Sequence, residues 1–223
     1  MSYGIALRVS GPWACFTSPE FKTERRSYDV ITPSAARGML EAIHWRPAIR
    51  WSIDRIHVLK PIRFQSLRRN EVGHKVPADT VRTVMRGASV RELRQIAGDD
   101  RQQRAATILV DVDYLVEAHI TLTPQAGTGD SVAKHLAMFT RRARRGQCFH
   151  QPYLGTREFA ADTELWDAPA PRHSLPDDQR DRDLGLMLLD VDYENDRASV
   201  FFHAVLRNGV MVVPPLPSRE VRS

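Results

Sequence analysis

A long β-strand is predicted by residues 106–123, which read Ala-Thr-Ile-Leu-Val-Asp-Val-Asp-Tyr-Leu-Val-Glu-Ala-His-Ile-Thr-Leu-Thr. Alternation of side chains along a strand would place Asp111, Asp113 and Glu117 on one face, as expected for a half-buried strand with one solvated side. The elements predicted before and after this strand decide the fold.

Three elements are predicted before it. Residues 3–9 and 49–59 alternate apolar and polar positions and indicate strands. Between them, Thr32-Pro33 is typical of a helix start, and Ala36, Leu40 and Ile43 follow at helical spacing. This helix should end near Trp45, because Arg46 precedes a proline and is pushed out of the helical region.

A second helix is predicted over residues 131–145, and residues 60–105 form a basic, weakly periodic insertion that suggests an extended hairpin. The order is then β-α-β, insertion, β-α, and a fourth strand near 147–154 would complete a ferredoxin-like unit. We therefore expect an α+β protein whose first domain covers residues 1–160.

A small antiparallel β-domain is predicted for residues 161–223. A proline- and aspartate-rich linker at 165–183 precedes three strands, at 184–193, 198–206 and 210–213. A turn at 194–196 separates the first two, and Asn208-Gly209 makes a tight hairpin turn before the last. The proline-rich tail after Pro214 should be irregular.

The charge of the 223-residue chain is unevenly distributed. Residues 1–150 hold 24 basic and 14 acidic side chains, a net of +10, whereas residues 151–223 hold 8 and 13, a net of −5. This asymmetry favours an acidic partner such as nucleic acid for the basic part. The alternative is a solvated, arginine-rich surface, since Arg outnumbers Lys 28 to 4.

Several protein classes are excluded by the sequence. No apolar run is long enough to span a membrane, and the N-terminus lacks the pattern of a signal peptide. Cys15 and Cys148 lie far apart, which argues against a disulfide framework or a cysteine-rich zinc site. A reducing cytoplasm is the expected location.

The second helix combines an apolar stripe with a basic strip. Five basic residues and no acidic residue lie between Ser131 and Gln147, and the helical wheel places His135 and Arg142 at the border of the apolar stripe. Histidine transfers protons near neutral pH, and the neighbouring Lys134 can stabilise negative charge on a phosphate. A solvated basic face is the alternative interpretation of this helix.

The sequence also resembles a known family along most of its length. The segments that carry the resemblance are Thr32–Gly38, Glu41–Pro47, Val58–Ile62, Lys134-His135, Arg141-Arg142, Tyr153–Phe159 and Arg207–Gly209, in this order. They resemble the subtype I-C Cas-five proteins, endoribonucleases of the RAMP superfamily. The resemblance implies a ferredoxin-like (RRM-like) domain and a small C-terminal β-domain.

The implied activity is metal-independent cleavage of CRISPR precursor RNA at the base of the repeat hairpin. The family's catalytic tyrosine at the end of the first helix corresponds to His44, and its Lys-His pair corresponds to Lys134 and His135. One imidazole would accept the 2′-OH proton and the other would protonate the leaving oxygen, with Lys134 at the nonbridging oxygens. A 2′,3′-cyclic phosphate product and no cofactor are expected. His44 has a structural alternative, in which it binds the last carbonyls of its helix.

The candidate RNA contacts are basic residues of the first loop, the insertion and the second helix, namely Lys22, Arg25, Arg26, Arg68, Arg69, Arg141, Arg142 and Arg145. The family would keep the processed crRNA bound by its 5′ handle, beside the backbone and large subunits of the type I-C interference complex.

Three alternatives remain open. One is a handle-binding subunit without cleavage activity. Another is a metal nuclease that uses Asp111, Asp113 and Glu117. Weak binding of duplex DNA through its phosphates is the third, as a side activity.

Overall fold

A computed structural model describes residues 4–21, 23–96, 98–192 and 196–216. It is an α+β structure in which eight strands form one sheet, with the order β5-β1-β4-β2-β8-β7-β6 and with β3 paired to β4 outside this path. The strands are β1 (Gly4–Ala14), β2 (Ile49–Val58), β3 (Phe64–Val72), β4 (Arg101–Leu122), β5 (Asp162–Leu165), β6 (Arg182–Asp192), β7 (Ala198–Arg207) and β8 (Val210–Val212). The α-helices are α1 (Pro33–Ile43), α2 (Ala78–Met85), α3 (Val132–Arg144) and α4 (Asp177–Arg180).

The strands β5, β1, β4 and β2 are antiparallel neighbours, and α1 and α3 connect them in the sequence. The two helices pack on one face of this sheet through buried side chains such as Leu40 and Phe139. Trp51 of β2 meets Phe139 of α3 edge-on, with 4.8 Å between the ring centroids. This contact sets α3 against the sheet close to the end of α1.

The long strand β4 pairs with three partners. Its first nine residues pair with β3, from Arg101 opposite Val72 to Leu109 opposite Phe64. This pairing forms the extended hairpin expected within residues 60–105, and α2 lies near its tip. At Asp111 the backbone has a φ of 53°, and beyond it β4 lies between β1 and β2. The second half of β4 therefore lies inside the sheet, where α3 contacts it.

The prediction of a strand near 147–154 is wrong. Residues 147–154 form an irregular segment with a single bridge, between Tyr153 and Ala160, and the edge strand is β5 at Asp162–Leu165. Pro152 lacks a backbone N–H, and Gly155 turns the chain with a φ of 85° that L side chains rarely adopt. The chain therefore reaches the sheet edge later than alternation alone suggests.

The C-terminal strands β6, β7 and β8 continue the same sheet, because β8 pairs with β2. Strands from both sides of residue 160 thus share one sheet, and the division into domains at that point stays a prediction. The turn expected at 194–196 lies mostly outside the described residues, as do residues 217–223 of the tail. Among the described helices, none has the length and apolar character needed to cross a bilayer.

Candidate active site

His44 lies directly after the last turn of α1. Its backbone N–H donates to the carbonyl of Leu40 at 2.9 Å, and its backbone is extended, so the helix ends there. The indole Nε1 of Trp51 donates to the carbonyl of His44 at 2.9 Å. These bonds satisfy the backbone and leave the imidazole free to point toward α3. The residue is buried, with 1% of its surface exposed.

His135 lies in the first turn of α3. Ser131 caps this helix by accepting a hydrogen bond from the N–H of Lys134, and the N–H of His135 donates to the carbonyl of Ser131 at 3.1 Å. The sequence predicts His135 at the border of the apolar stripe, but only 2% of its surface is exposed. It is buried because His44, at the end of α1, covers the ring.

The two imidazoles are in direct contact. His44 Nε2 lies 3.0 Å from His135 Nδ1, and the rings are stacked with 5.3 Å between centroids. On the far side, His135 Nε2 lies 3.1 Å from Oδ1 of Asp130. Arg142 approaches the other end, with Nη1 3.5 Å from His44 Nδ1 and 3.1 Å from the carbonyl of Ile43.

For an uncharged ring, these partners select one tautomer of each imidazole. A guanidinium only donates, so Nδ1 of His44 accepts and the proton of that ring is on Nε2. A carboxylate only accepts, so Nε2 of His135 carries its proton and Nδ1 accepts from His44. A continuous series of hydrogen bonds therefore runs from Arg142 through both histidines to Asp130.

Asp130 also joins Lys134 to this group. Lys134 Nζ donates to the carbonyl of Gly129 at 2.9 Å and to Asp130 Oδ1 at 3.3 Å. The backbone N–H of Gly127, together with Lys134 and His135, lowers the pKa of the Asp130 carboxyl. The structure thus brings His44, His135 and Lys134 together around a carboxylate that the sequence analysis did not single out. Its only sequence signal is its place one residue before the helix cap.

The pKa of His44 is lowered from 6.5 to about 4. Burial is the largest cause, because it disfavours the charged ring, and the positive charge of Arg142 is the next. His44 is therefore neutral at pH 7. Its Nε2–H is a hydrogen-bond donor toward His135 and does not supply a proton as an imidazolium would.

The basic residues predicted on α3 occupy two different environments. Arg141 and Arg145 are exposed. Arg142 is half-buried, and its guanidinium binds the carbonyl of Ile43 and contacts His44, so in the free protein it joins α1 to α3. Arg144, another basic residue of this helix, forms an ion pair with Asp167, with 2.8 Å between Nη2 and Oδ2.

The remaining predicted contacts lie around the first loop and β3. Arg26 is exposed and lies over the ring of Phe21, and Arg68 is exposed on β3. Arg25 lies 3.7 Å from a carboxylate oxygen of Glu71. Two further predicted contacts complete the set: Arg69 is largely enclosed and ion-paired with Glu71 and Glu158, and Lys22 lies outside the described residues.

The three carboxylates considered for a metal site are each paired with basic side chains. Asp111 accepts from Lys60 and Arg63 at 2.7 Å, and Glu117 lies 2.8 Å from His57. Asp113 is 4% exposed and forms two hydrogen bonds with Arg8, so it is buried and not solvated. Within the described ranges, no group of three or more His, Cys, Asp or Glu side chains is arranged to hold a metal ion.

The chain is similar to CRISPR-associated proteins by three comparisons. A family model described as "CRISPR-associated protein (Cas_Cas5)" matches residues 4–214. A protein of Mannheimia succiniciproducens named "CRISPR pre-crRNA endoribonuclease Cas5d" is 53% identical over 224 residues, which cover all of both chains. A protein of the same name from Thermus thermophilus is 41% identical and covers 97% of this chain and 94% of its own.

Two solved structures share the fold. One, described as "Crystal Structure of CRISPR-associated Protein", has a TM-score of 0.68 at 24% identity and covers 95% of this chain and 92% of its own. A functionally uncharacterized protein, SMU1763c from Streptococcus mutans, has a TM-score of 0.63 at 23% identity with the same coverage. Both support the α+β architecture described above.

Proposed function

Because the chain belongs to the CRISPR-associated Cas5 family, we propose that it is an endoribonuclease that cuts CRISPR precursor RNA, the activity for which its two relatives are named. The observation that carries the proposal is the 3.0 Å contact between His44 and His135, made by residues of two separate helix ends. Lys134 and Asp130 complete the group within hydrogen-bond distance. The group supplies a proton acceptor and a cation, which can move a proton and stabilise charge during RNA transesterification.

The proposed reaction uses the RNA's own 2′-OH as the nucleophile. His135 accepts the 2′-OH proton at Nδ1 while the 2′-oxygen bonds to phosphorus, and the bond from phosphorus to the 5′-oxygen breaks. The His135 imidazolium returns the proton to the departing 5′-oxygen, so the products are a 2′,3′-cyclic phosphate and a 5′-OH. Lys134 stabilises the charge on the nonbridging oxygens.

Substrate must enter between the two rings for this reaction, because His135 Nδ1 faces His44 in the free protein. When the rings separate, His135 presents an acceptor and His44 presents the Nε2–H donor, which are the complementary groups that a hydroxyl and a phosphate oxygen need. Asp130 then orients His135 and stabilises the imidazolium, as a carboxylate does in other histidine-based sites. His44 serves as a hydrogen-bond donor because its pKa of about 4 keeps it neutral at pH 7.

We further propose that the β1-α1-β2 and β4-α3-β5 segments constitute a ferredoxin-like unit. Their order in the sheet, β5-β1-β4-β2 with antiparallel neighbours, supports this classification. In this scheme β3 and α2 form an insertion between the second and third strands of the unit. The group formed by His44, His135, Lys134 and Asp130 then lies where α1 and α3 meet.

The RNA partner and the assembly follow the family expectation. We propose that the base of the repeat hairpin binds across exposed basic residues such as Arg26, Arg68, Arg141 and Arg145. The crRNA 5′ handle stays bound after cleavage, beside the backbone and large subunits of the interference complex. Because the proposed substrate is a cytoplasmic transcript, we also propose a cytoplasmic location.

The test is cleavage of a single repeat RNA by purified protein in EDTA, with analysis of the product ends. We expect cleavage with a 2′,3′-cyclic phosphate, and no cleavage when the scissile nucleotide is 2′-deoxy. A rate that survives the 2′-deoxy substitution would overturn the mechanism. The burial of both imidazoles favours a second candidate, a handle-binding subunit without activity, and tight repeat binding with no cleavage would establish that candidate instead.

A further inference from the structure

A cavity of about 640 Å³ lies along α1, between this helix, the irregular segment 150–155 and β6. Its lining includes Thr32, Arg37, Glu41, Trp45, His150 and Tyr153. Trp45 follows His44 directly in the chain, and the N–H of Phe149 donates to the carbonyl of Ala42 at 2.7 Å. The cavity therefore extends along α1 as far as the residue that follows His44, and none of the side chains assigned to the chemistry lines it.

Aromatic side chains, among them Trp45, His150 and Tyr153, line the cavity, and Phe149 adjoins this lining. Trp45 is 54% exposed and Phe149 is 90% exposed. The rings of His150 and Tyr153 are 6.0 Å apart at an interplanar angle of 31°, and Phe149 adjoins His150 at 6.1 Å. Exposed aromatic side chains beside a cavity are typical of surfaces that stack unpaired bases.

The charges of the cavity decide which part of a nucleotide enters. Arg37 binds both Glu41 and Asp190 at 2.6 Å, so the two carboxylates outweigh the guanidinium. Such an interior disfavours a phosphate and offers polar partners to the edge of a base. Outside it, Arg46 follows Trp45 in the chain and is exposed, as is Arg141 of α3, and both suit the sugar-phosphate chain.

We propose that this cavity binds one unpaired nucleobase of the repeat RNA, stacked on Trp45 and bordered by Phe149. The proposal rests on RNA being the substrate and adds the place where a base next to the cleavage point is held. The deep, narrow major groove of an A-form stem is closed to side chains, and sequence-specific recognition of RNA mostly uses unpaired nucleotides. The base is splayed out of the strand, which leaves the adjoining ribose-phosphate to reach the histidine pair.

The experiment measures binding of repeat RNA that carries a 2′-deoxy scissile nucleotide and cannot be cut by the proposed reaction. Trp45→Ala should weaken binding about 5- to 150-fold, the usual contribution of one stacked base, and Phe149→Ala should weaken it less. Trp45→Phe should restore most of the affinity, whereas Trp45→Leu, an apolar residue without a flat ring, should not. The matched control is Trp13→Ala, because Trp13 is 46% exposed and packs edge-on against Phe159, and neither residue lines the cavity.

A scan of abasic positions in the unpaired flanks identifies the base. One abasic position should weaken binding of the unaltered protein and have little further effect on Trp45→Ala, because the two changes remove the same contact. If every abasic position adds fully to Trp45→Ala, or if Trp45→Ala binds as tightly as Trp13→Ala, the proposal is wrong and the rings are available to a protein partner. The binding measurement does not depend on cleavage. It therefore tests the base-binding proposal even if the protein is shown not to cut RNA.

Discussion

Nε2 of His44 and Nδ1 of His135 lie 3.0 Å apart, although 91 positions separate the two residues in the chain. The contact exists because α1 ends at Ile43 and α3 begins at Val132, and Trp51 and Phe139 bring these two helix ends together over the sheet. Neither ring has its position set by local sequence alone. We expect substitutions of His44 or His135 to lower the cleavage rate more than the affinity for RNA.

Replacement of His135, the proposed general base, gives the most direct prediction. His135→Ala should slow single-turnover cleavage of repeat RNA by about 10²–10⁴-fold, the usual contribution of one general acid or base. The Kd for uncleavable RNA should change less than threefold or so, because the buried ring contributes little to binding surface. His119→Ala is the matched control, since His119 pairs with Asp54 on the other face of the sheet. Equal loss in both variants would contradict the assignment.

Asp130→Asn tests the orientation of His135. The amide nitrogen of asparagine would donate to Nε2 of His135 and move the ring proton to Nδ1, the atom that must accept the 2′-OH proton. Cleavage should fall by about 10²-fold or more with binding unchanged. Asp130→Glu, which keeps an acceptor, should recover part of the rate.

A purely structural carboxylate would behave differently. Asn preserves an oxygen for the N–H of Gly127, so a cap-only role predicts nearly normal cleavage in Asp130→Asn. Normal cleavage by this variant would remove Asp130 from the site.

Arg142 and Arg141 are adjacent, and the structure predicts opposite phenotypes for them. Arg142→Ala removes a charged hydrogen bond to the carbonyl of Ile43 and should lower the free energy of unfolding by about 1–3 kcal/mol. Arg141→Ala should leave stability within about 0.5 kcal/mol and reduce the salt dependence of RNA binding by about one phosphate contact. Urea unfolding and a salt titration of the Kd measure the two effects. The same loss of stability in both variants would contradict the assignment.

Stability should fall as pH decreases because His44 is held neutral. At pH 7 the ring is neutral in both folded and unfolded chains. Between the unfolded pKa of about 6.5 and the folded pKa of about 4, the unfolded chain binds a proton that the folded chain excludes. The loss should reach on the order of 3 kcal/mol near pH 4.

The measurement for this prediction is urea unfolding from pH 7 to pH 4, compared with His44→Gln. The variant is expected to be less stable at pH 7 but to lose less on acidification, because it has no ring to protonate beside Arg142, Arg46 and His135. Groups that do not contact His44 are the same in both proteins and cancel in the difference. Parallel pH curves for the two proteins would show that His44 is not the responsible group.

Much of the fold could be predicted from local signals. The strand over 106–123, the helix at 131–145 and the start of α1 at Thr32-Pro33 agree with the structure within a few residues, because periodicity and a proline-marked cap report local backbone preference. The edge strand is wrongly placed by sequence reasoning, since Asp162–Leu165 is short and partly polar, and its pairing to β1 depends on long-range contact.

The site could be predicted only in part. The family resemblance supplied His44, Lys134 and His135, and the structure places these three together. Their burial, the roles of Arg142 and Asp130, and the bonding of Asp113 to Arg8 are tertiary effects that a helical wheel or strand alternation cannot contain. A helical wheel places His135 on one face of α3 but does not show that His44 covers this face.

One peptide bond joins His44 to Trp45, and this adjacency has a geometric consequence. In the proposed complex, His44 borders the cut and Trp45 holds the splayed base, and their Cα atoms stay about 3.8 Å apart across the peptide bond. The cleaved bond would then lie at a fixed distance from the bound nucleotide, whatever the length of the stem. Repeats whose stems differ by a base pair would be severed at the same distance from that nucleotide.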